Sequence, residues 1–285
     1  MYHHPINAPV AVPAPSVAPP INTPHQVSAP QISALAQHLA NLPTPVAKKI
    51  IHNYQEHPSL GLASIARPTH KGKPREFESN MDMLGDELKQ SNIVTLLSLD
   101  NKMSEEIFDP VAGIFQADKA TQLLNAKGIS YVVDQQYFVT DSYDFPSVNL
   151  ADDDTFIATL DGIVQWILAE MARNPHTMLA IHCGAGDGRS GVVKSACLIA
   201  QGLKNGNSSY HQGITAADKS AMVDTELNNS FDNVHAKTGS YKIVDDAVRN
   251  IRTVHGEAVE RPSDVAMLNS YAEYCSQRVL ANQGP

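Results

Sequence analysis

A cysteine, an arginine and a serine stand at a spacing that suits chemistry on a phosphate group. Cys183 is followed by five residues and then by Arg189 and Ser190. An ionised sulfur is a strong nucleophile, and a planar guanidinium can hold two oxygens of a tetrahedral oxyanion in a fork. Ser190 is placed to donate a hydrogen bond to the sulfur, which helps the thiolate leave when a covalent intermediate breaks down. The pattern predicts a thiolate nucleophile at Cys183 and a phosphate clamp at Arg189.

The residues between the cysteine and the arginine have the composition of an anion-binding loop. A loop that wraps a tetrahedral anion turns several N–H groups inward, which requires unusual backbone angles and little side-chain bulk. A helix after the loop adds its N-terminal N–H groups and dipole, and the same field favours an ionised Cys183. His182 is expected to orient the loop from behind. With Ser190, the expected substrate-binding residues are Gly184, Ala185, Gly186, Asp187 and Gly188.

Regular elements that could position this loop are visible in the apolar pattern. TMLAI, residues 177–181, predicts a short buried strand, and the apolar run from Val192 predicts a helix after the loop. The stretch 205–237 is polar and is interpreted as a surface insertion, weakly helical over 216–227. The remaining predicted elements are helices over 80–90, 117–126 and 155–173 and strands over 91–99, 129–134 and 135–140. They predict an α/β fold with a central mixed, largely parallel sheet flanked by helices.

The N-terminal part of the chain differs in composition. Residues 1–30 are rich in Pro and Ala and carry no charge, which predicts a disordered leader that is also a candidate docking segment for a partner. Residues 31–67 are predicted to form a short helical segment, including a helix over 46–55 that follows a Thr44 N-cap. Residues 68–285 are then the catalytic domain.

The whole-chain composition restricts the class of protein. A net charge of -9 argues against general binding to nucleic acid, and no apolar run approaches the length of a membrane span. Three scattered cysteines predict reduced thiols rather than a disulfide framework, and the dispersed histidines predict no metal site. We expect no cofactor. The N-terminus lacks the features of a Sec-type signal peptide, and the expected location is the cytoplasm or, after secretion, a host cell.

Cleavage of a phosphate ester also requires a proton donor for the leaving oxygen. Asp141 and Asp144 are the candidates, because both lie in a polar segment between a predicted strand and the helix that precedes the cysteine strand. Asp152, Asp153 and Asp154 are interpreted instead as capping and charging the start of that helix.

The loop HCGAGDGRSG resembles that of the protein tyrosine phosphatase superfamily, which reads His-Cys, five residues, Arg, then Ser or Thr. IVDDAVRNIRTVHGEAVERPSDVAMLNSY near the C-terminus is similar to the last helix, glutamine-bearing loop and terminal helix of its tyrosine-specific members. The similarities span about Glu76 to Cys275. The resemblance implies a tyrosine phosphatase-like fold and a phosphocysteine formed on Cys183, which water then hydrolyses while an Asp acts first as acid and then as base.

The resemblance also ranks the candidate acids and the substrates. Aligning YDFP with the family's Trp-Pro-Asp pattern selects Asp144, whereas aligning VTD with related lipid and inositol phosphate phosphatases selects Asp141; Asp144 is preferred. The Trp-Pro pair itself is missing, and Glu260 stands where the family often has a water-orienting glutamine. Asp187 adds negative charge where lipid phosphatases favour lysine, which favours protein phosphotyrosine as the substrate.

Three alternatives remain from the sequence. The first is an inositol phosphate or phosphoinositide phosphatase that uses the same nucleophile. The second is a phosphate-binding module that has lost catalysis, which would suit Glu260 and the atypical acid loop. The third is a thiol enzyme such as an arsenate reductase or a sulfurtransferase. The uncharged, proline-rich leader would suit a bacterial effector delivered into another cell.

Overall fold

A five-stranded sheet forms the centre of the part of the chain that the structure describes. The computed structural model describes residues 53–66, 77–99, 117–133, 154–184, 186–206, 209–229 and 234–283. The strands lie in the order β1-β2-β5-β3-β4, with β1 antiparallel to β2 and the other neighbours parallel. Their bounds are Gln55–His57 for β1, Leu62–Ala66 for β2, Ile93–Ser98 for β3, Ser130–Val132 for β4 and Met178–Cys183 for β5.

The strand that carries the candidate nucleophile is the middle strand of the sheet. Cys183 is the last residue of β5 and pairs with Ala66, the last residue of β2. On the other side of β5, His182 pairs with Ser98 at the end of β3. The carboxyl ends of three parallel strands therefore meet at one edge, which is where ligand sites form in open α/β sheets.

One face of the sheet is covered by two helices, α1 over Phe77–Gln90 and α2 over Ala117–Ala126. Gly128, with φ of 76°, follows the end of α2. The two helices contribute apolar side chains to a core that also contains the residues of the sheet pointing to this face. Its members include Met81, Leu84, Leu88, Ala120, Leu124, Ala63, Leu96 and Ala180.

The opposite face is covered by a larger helical layer, which encloses the second core. Leu179, Ile181 and Cys183 belong to this core, while Ala180 belongs to the other, as the alternation of a strand requires. The helices are α3 over Asp154–Arg173, α4 over Gly188–Lys204, the short α5 over Ala216–Ser220, α6 over Lys242–Arg252 and α7 over Pro262–Gln283. Because α4 packs against α3, α6 and α7, the helix that follows the cysteine loop is enclosed by its neighbours.

The polar stretch predicted as a weakly helical insertion is mostly a hairpin. Strands β6, Val223–Asn229, and β7, Val234–Ser240, form an antiparallel pair outside the main sheet. The helical prediction holds for α5 but is wrong for 223–227. Strand pairing is favoured over a helix there because the Thr225 hydroxyl is hydrogen-bonded to the Ser240 hydroxyl across the hairpin. The Thr225 hydroxyl also lies 3.0 Å from the Asp245 carboxylate of α6, to which it donates.

The predicted helical segment over 31–67 is wrong for its described part. Residues 55–57 and 62–66 are strands β1 and β2, joined by a 3-10 turn that begins at Pro58 and ends at Gly61 in the left-handed conformation. Gln55, the predicted end of a helix, pairs with Ser64. The sheet thus extends upstream of the boundary placed at residue 68, because β2 is needed to cover one side of β5.

The predicted fold class is confirmed: the sheet is mixed and largely parallel, and helices cover both faces. The helices predicted over 80–90, 117–126 and 155–173 are present, with small differences at their ends. No helix in the described ranges combines the length and the apolar character that crossing a membrane requires. The leader over 1–30, the expected helices over 31–52 and the strand over 135–140 lie outside the described residues.

We predict that Gly186→Ala destabilises the protein by about 1–3 kcal/mol. Gly186 has φ of 96°, and a Cβ there would lie 2.9 Å from the backbone carbonyl carbon and oxygen of Ile65 in β2. Backbone cannot move aside as a flexible side chain can, so both the dihedral angle and the contact oppose the substitution. Chemical denaturation of the variant measures the loss. Gly256→Ala is the matched control, because no described atom lies within 4 Å of its Cβ position; equal losses in both variants would contradict the prediction.

Candidate active site

The candidate nucleophile lies at the junction of strand, loop and helix. Cys183 ends β5 and is 3% exposed, and α4 begins five residues later at Gly188. Ser190 in the first turn of α4 donates a hydrogen bond from Oγ to the Cys183 Sγ at 3.3 Å. The sulfur therefore lies near the start of a helix and accepts a hydrogen bond from a hydroxyl group of its first turn.

The guanidinium of Arg189 lies against the same loop. Arg189 is 8% exposed and donates from Nη1 to the Leu99 carbonyl oxygen at 3.1 Å. Its Nη2 is 3.6 Å from the position that a Cβ on Gly184 would occupy, so the group lies beside the residue that follows Cys183. Leu99 is itself held by a hydrogen bond from its N–H to the His182 carbonyl at 2.7 Å. The end of β3 thereby fixes the guanidinium relative to the cysteine.

The loop leaves the start of α4 available to an anion. Asp187 occupies the N-cap position, yet its side chain makes no capping hydrogen bond to the first turn. The first intrahelical hydrogen bond runs from the Gly191 N–H to the Asp187 carbonyl at 2.8 Å. Gly184, Gly186 and Gly188 lie in this loop or at its end, and Ala185 lies outside the described residues.

His182 supports the loop from the sheet side. The ring is fully buried, and its Nε2 lies 2.8 Å from the Tyr131 hydroxyl of β4. The two rings are also stacked, with centroids 5.7 Å apart. Tyr131 thus contacts the residue before the cysteine through both its hydroxyl group and its ring.

The carboxylate of Asp187 is engaged by two residues that sequence reasoning missed. His255, in the connection between α6 and α7, places Nε2 2.6 Å from Asp187 Oδ1. Asn53, just before β1, donates from Nδ2 to the same oxygen. These side chains are far apart in the sequence and carry no motif. The negative charge that Asp187 adds to the loop is therefore partly offset by hydrogen-bond donors.

A further missed residue is Lys194 of α4, whose side chain is fully buried beneath the loop. Its Nζ donates to the Ser64 hydroxyl of β2 at 2.8 Å. Burial lowers the pKa of Lys194 to about 8, and the attraction of the ammonium to Cys183 and Asp187 opposes that shift. The sequence signal is a lone charged residue in the otherwise apolar stretch GVVKSACLIA.

The connection over 253–261 packs tightly on the start of α4. A Cβ on Gly191 would lie 2.8 Å from the Val259 backbone nitrogen, so this glycine permits a close approach of two backbones. Val259 has φ of 57°, a strained conformation for a β-branched residue. Arg252 holds the connection by donating to the carbonyls of Ala258 and Val259 at 2.9 and 2.8 Å. The neighbouring Glu260 is thereby held in place, 6% exposed, and it is attracted to Arg252.

Three carboxylates meet beside the loop. Oxygens of Asp187, Glu257 and Glu260 lie within 4.8 Å of one another, and Glu257 is exposed. Among the described residues, these three carboxylates are the side chains close enough together to act as ligands of one metal ion. Acidic side chains often cluster without an ion, and Asp187 already accepts from His255 and Asn53. The three carboxylates therefore contribute negative charge beside the loop.

The candidate acids and the two other cysteines have different outcomes. Asp141 and Asp144 lie outside the described residues, as do Asp152 and Asp153. Cys197 in α4 and Cys275 in α7 are buried thiols, and burial raises the pKa of each to about 12. Burial therefore disfavours the thiolate form of both.

The chain is similar to several solved structures. PTPMT1 matches at 16% sequence identity and a TM-score of 0.42, over 80% of this chain and 99% of that chain. A kinase associated phosphatase with its catalytic cysteine substituted by serine matches at 16% identity and a TM-score of 0.47, over 82% and 98% of the two chains. The active form of Tk-PTP matches at 17% identity and a TM-score of 0.38, over 74% and 91%. No family model and no curated protein matches the sequence.

The buried ammonium predicts how stability depends on pH. Because the folded chain binds the Lys194 proton less tightly than the unfolded chain, folding is disfavoured below about pH 8 and the penalty disappears between pH 8 and about 10. Relative to Lys194→Met, the free energy of unfolding of the wild type should rise across that window by on the order of 3 kcal/mol. Urea denaturation at a series of pH values measures the difference.

The exposed Lys204 at the end of the same helix supplies the control. Lys204→Met should follow the wild type in parallel over the whole pH range. A parallel course for Lys194→Met as well would show that Lys194 titrates normally and would contradict the prediction.

Proposed function

We propose that the chain is a cysteine-dependent phosphatase that hydrolyses phosphate monoesters through a phosphocysteine intermediate. The observation that supports this proposal is the convergence of three groups at the start of α4. The Cys183 sulfur accepts from Ser190 at 3.3 Å, and the Arg189 guanidinium lies beside Gly184. A nucleophile, a leaving-group donor and a planar oxyanion clamp thus share one small site.

The reaction has two steps. In the first, the Cys183 thiolate attacks phosphorus; the S–P bond forms, the ester P–O bond breaks, and the leaving oxygen takes a proton from an aspartic acid. In the second, water attacks phosphorus and gives up a proton to the same aspartate. The S–P bond then breaks, inorganic phosphate leaves and the thiolate returns. Arg189 and the amides of the loop hold the equatorial oxygens throughout, and the Ser190 hydroxyl stabilises the departing sulfur.

The substrate proposed is protein phosphotyrosine. Its single phosphate can enter the loop while the aromatic ring, which is neutral, stays near the surface. The carboxylates of Asp187, Glu257 and Glu260 beside the loop would repel the additional phosphates of an inositol polyphosphate. Negative charge beside the site therefore supports the phosphoprotein over the inositol phosphate alternative.

Removing the nucleophile or the clamp tests the reaction. Cys183→Ser should abolish turnover of a phosphotyrosine peptide, because an alcohol is not ionised at neutral pH. Arg189→Lys should lower kcat/KM by about 10²- to 10³-fold, because a lysine cannot make the forked contact. Phosphate release measures both effects. Cys275→Ala, which removes a buried thiol of α7, is the control that should retain activity; turnover by Cys183→Ser at the wild-type rate would exclude the mechanism.

The same assay decides the substrate class. Wild-type protein is offered phosphotyrosine peptides and inositol phosphates carrying one or several phosphates. We expect kcat/KM to be highest for the peptides and to fall as phosphates are added to the inositol ring. Activity on inositol polyphosphates alone would overturn the substrate proposal, and retention of the peptide without phosphate release would favour a binding module.

The general acid is proposed to be Asp144, with Asp141 as the alternative. A tyrosine leaving group, whose pKa is about 10, needs protonation far more than the acidic p-nitrophenol does. Asp144→Ala should therefore lower kcat on phosphotyrosine about 10²- to 10³-fold and have a smaller effect on p-nitrophenyl phosphate. Asp141→Ala is the matched comparison, and the larger substrate-dependent loss identifies the acid. Equal, small losses in both variants would show that neither residue donates the proton.

A further inference from the structure

Lys194 is a buried lysine whose ammonium is bonded to a neutral group. Lysine is among the residues least often fully buried, and its burial normally requires a paired charge. Here the side chain is 0% exposed in the middle of α4, and among the described residues its ammonium donates one hydrogen bond, to the Ser64 hydroxyl. A fold that needed only to fill this space could do so with an apolar side chain. The position of the charge therefore calls for a physical explanation.

The ammonium lies beneath the cysteine loop. Ser190, which donates to the Cys183 sulfur, precedes Lys194 by four residues, so the two side chains share one face of α4. Ser64, which accepts from Lys194, pairs with Ile181 of β5, two residues before Cys183. The lysine thus bridges α4 and β2 directly below the point where β5 enters the loop.

The charged groups around Lys194 come from three elements. Cys183 at the end of β5 and Asp187 in the loop attract the ammonium, and His57 at the end of β1 is close enough to be affected by it. Burial lowers the pKa of His57, and the nearby Lys194 ammonium lowers it further. The strongest electrostatic partners of Lys194 are therefore a sulfur and a carboxylate that belong to the loop.

We propose that Lys194 is a positioning residue that keeps Cys183 in its thiolate form and offsets the negative charge of Asp187 within the phosphate loop. This inference deepens the proposed function, on which it rests. Asp187 introduces negative charge into a loop that has to bind an anion and ionise a thiol. A fixed cation in the protein interior acts strongly on nearby charges, because no water screens it. Lys194 supplies such a cation without blocking the space where a phosphate would bind.

Arg189 alone does not fill this role. Its guanidinium already donates to the Leu99 carbonyl and is placed to bind phosphate oxygens, so its charge is shared with the ligand once a phosphate is bound. His255 and Asn53 contact Asp187 from the other side of the loop. Lys194 lies below the loop, where its charge reaches the sulfur both before the ligand arrives and after it leaves.

The role has a consequence at alkaline pH. The lowered pKa of Lys194 means that the ammonium becomes neutral near pH 8, well below the ordinary range of lysine. Above that pH the wild type should lose the benefit of the charge. Its kcat/KM should therefore decline on an alkaline limb near pH 8 that is absent from a variant with a neutral residue at this position.

The test measures ionisation of the cysteine directly. The rate at which iodoacetamide alkylates Cys183 is followed against pH by mass spectrometry of the peptide that contains it. In Lys194→Met, the pH of half-maximal rate should rise by about one unit, which corresponds to about tenfold slower alkylation well below that midpoint. Cys197 and Cys275, whose pKa values burial raises to about 12, serve as internal references that should stay unmodified.

Two further variants keep the test decisive. Asp187→Asn removes the opposing charge and should shift the alkylation midpoint downwards, opposite to Lys194→Met, so a result is obtained even if Lys194→Met folds poorly. Lys204→Met, at the exposed end of α4, should leave the midpoint unchanged. If neither Lys194→Met nor Asp187→Asn changed the alkylation midpoint, the proposal would be overturned. A loss of activity in Lys194→Met that is equal at every pH, with an unchanged midpoint, would show that the lysine is only structural.

The alkylation and phosphatase measurements distinguish failure of the proposed function from failure of the proposed role of Lys194. If no phosphate ester is hydrolysed but the alkylation midpoint moves as expected, the proposed function fails and the role of Lys194 in ionising the cysteine stands. If phosphate esters are hydrolysed and the midpoint stays in place, the proposed function stands and the role of Lys194 is excluded.

Discussion

The close approach of backbone on both sides of the cysteine loop is the constraint on which the site depends. On one side, Gly186 lies against the backbone of Ile65 in β2; on the other, Gly191 lies against the backbone of Val259. No side chain fits at either contact without displacing backbone. The residues on either side of the loop are thereby held against the sheet and against the connection over 253–261. The strained φ of Val259 is tolerated because Arg252 fixes the carbonyls around it.

This rigid frame also explains how several charges coexist in a small space. Asp187 accepts from His255 and Asn53, Arg189 donates to Leu99, and Lys194 donates to Ser64. Each charged side chain is thus anchored to a different element. These separate anchors hold the three charged side chains apart from one another around the loop. The cost of burying Lys194 reduces stability, and that cost is understandable if the charge acts on Cys183.

Sequence reasoning located the elements whose apolar periodicity is strong and missed those held by tertiary pairing. The stripe of α3 and the strand ending at Cys183 are predicted because burial dictates their residue types. The strands at 55–57 and 62–66 are short and interrupted by Pro58 and Gly61, so their register depends on β5 and leaves little local signal. The hairpin at 223–240 does carry a period-2 signal, since Val223, Thr225 and Leu227 alternate with polar residues, but the strands are mostly polar and the signal was missed.

The site shows the same division. The spacing of Cys183, Arg189 and Ser190 is encoded locally, since one turn and one helix start bring the three together. The partners that tune them come from distant parts of the chain and have no spacing to detect. What results is a site whose positive groups lie at its base, in Arg189, Lys194 and the start of α4, while the exposed Glu257 and the buried Glu260 add negative charge beside it. Under the proposed function, such a field would draw one phosphate to the base and repel a second held near the surface, which would select for a monoester on a neutral group.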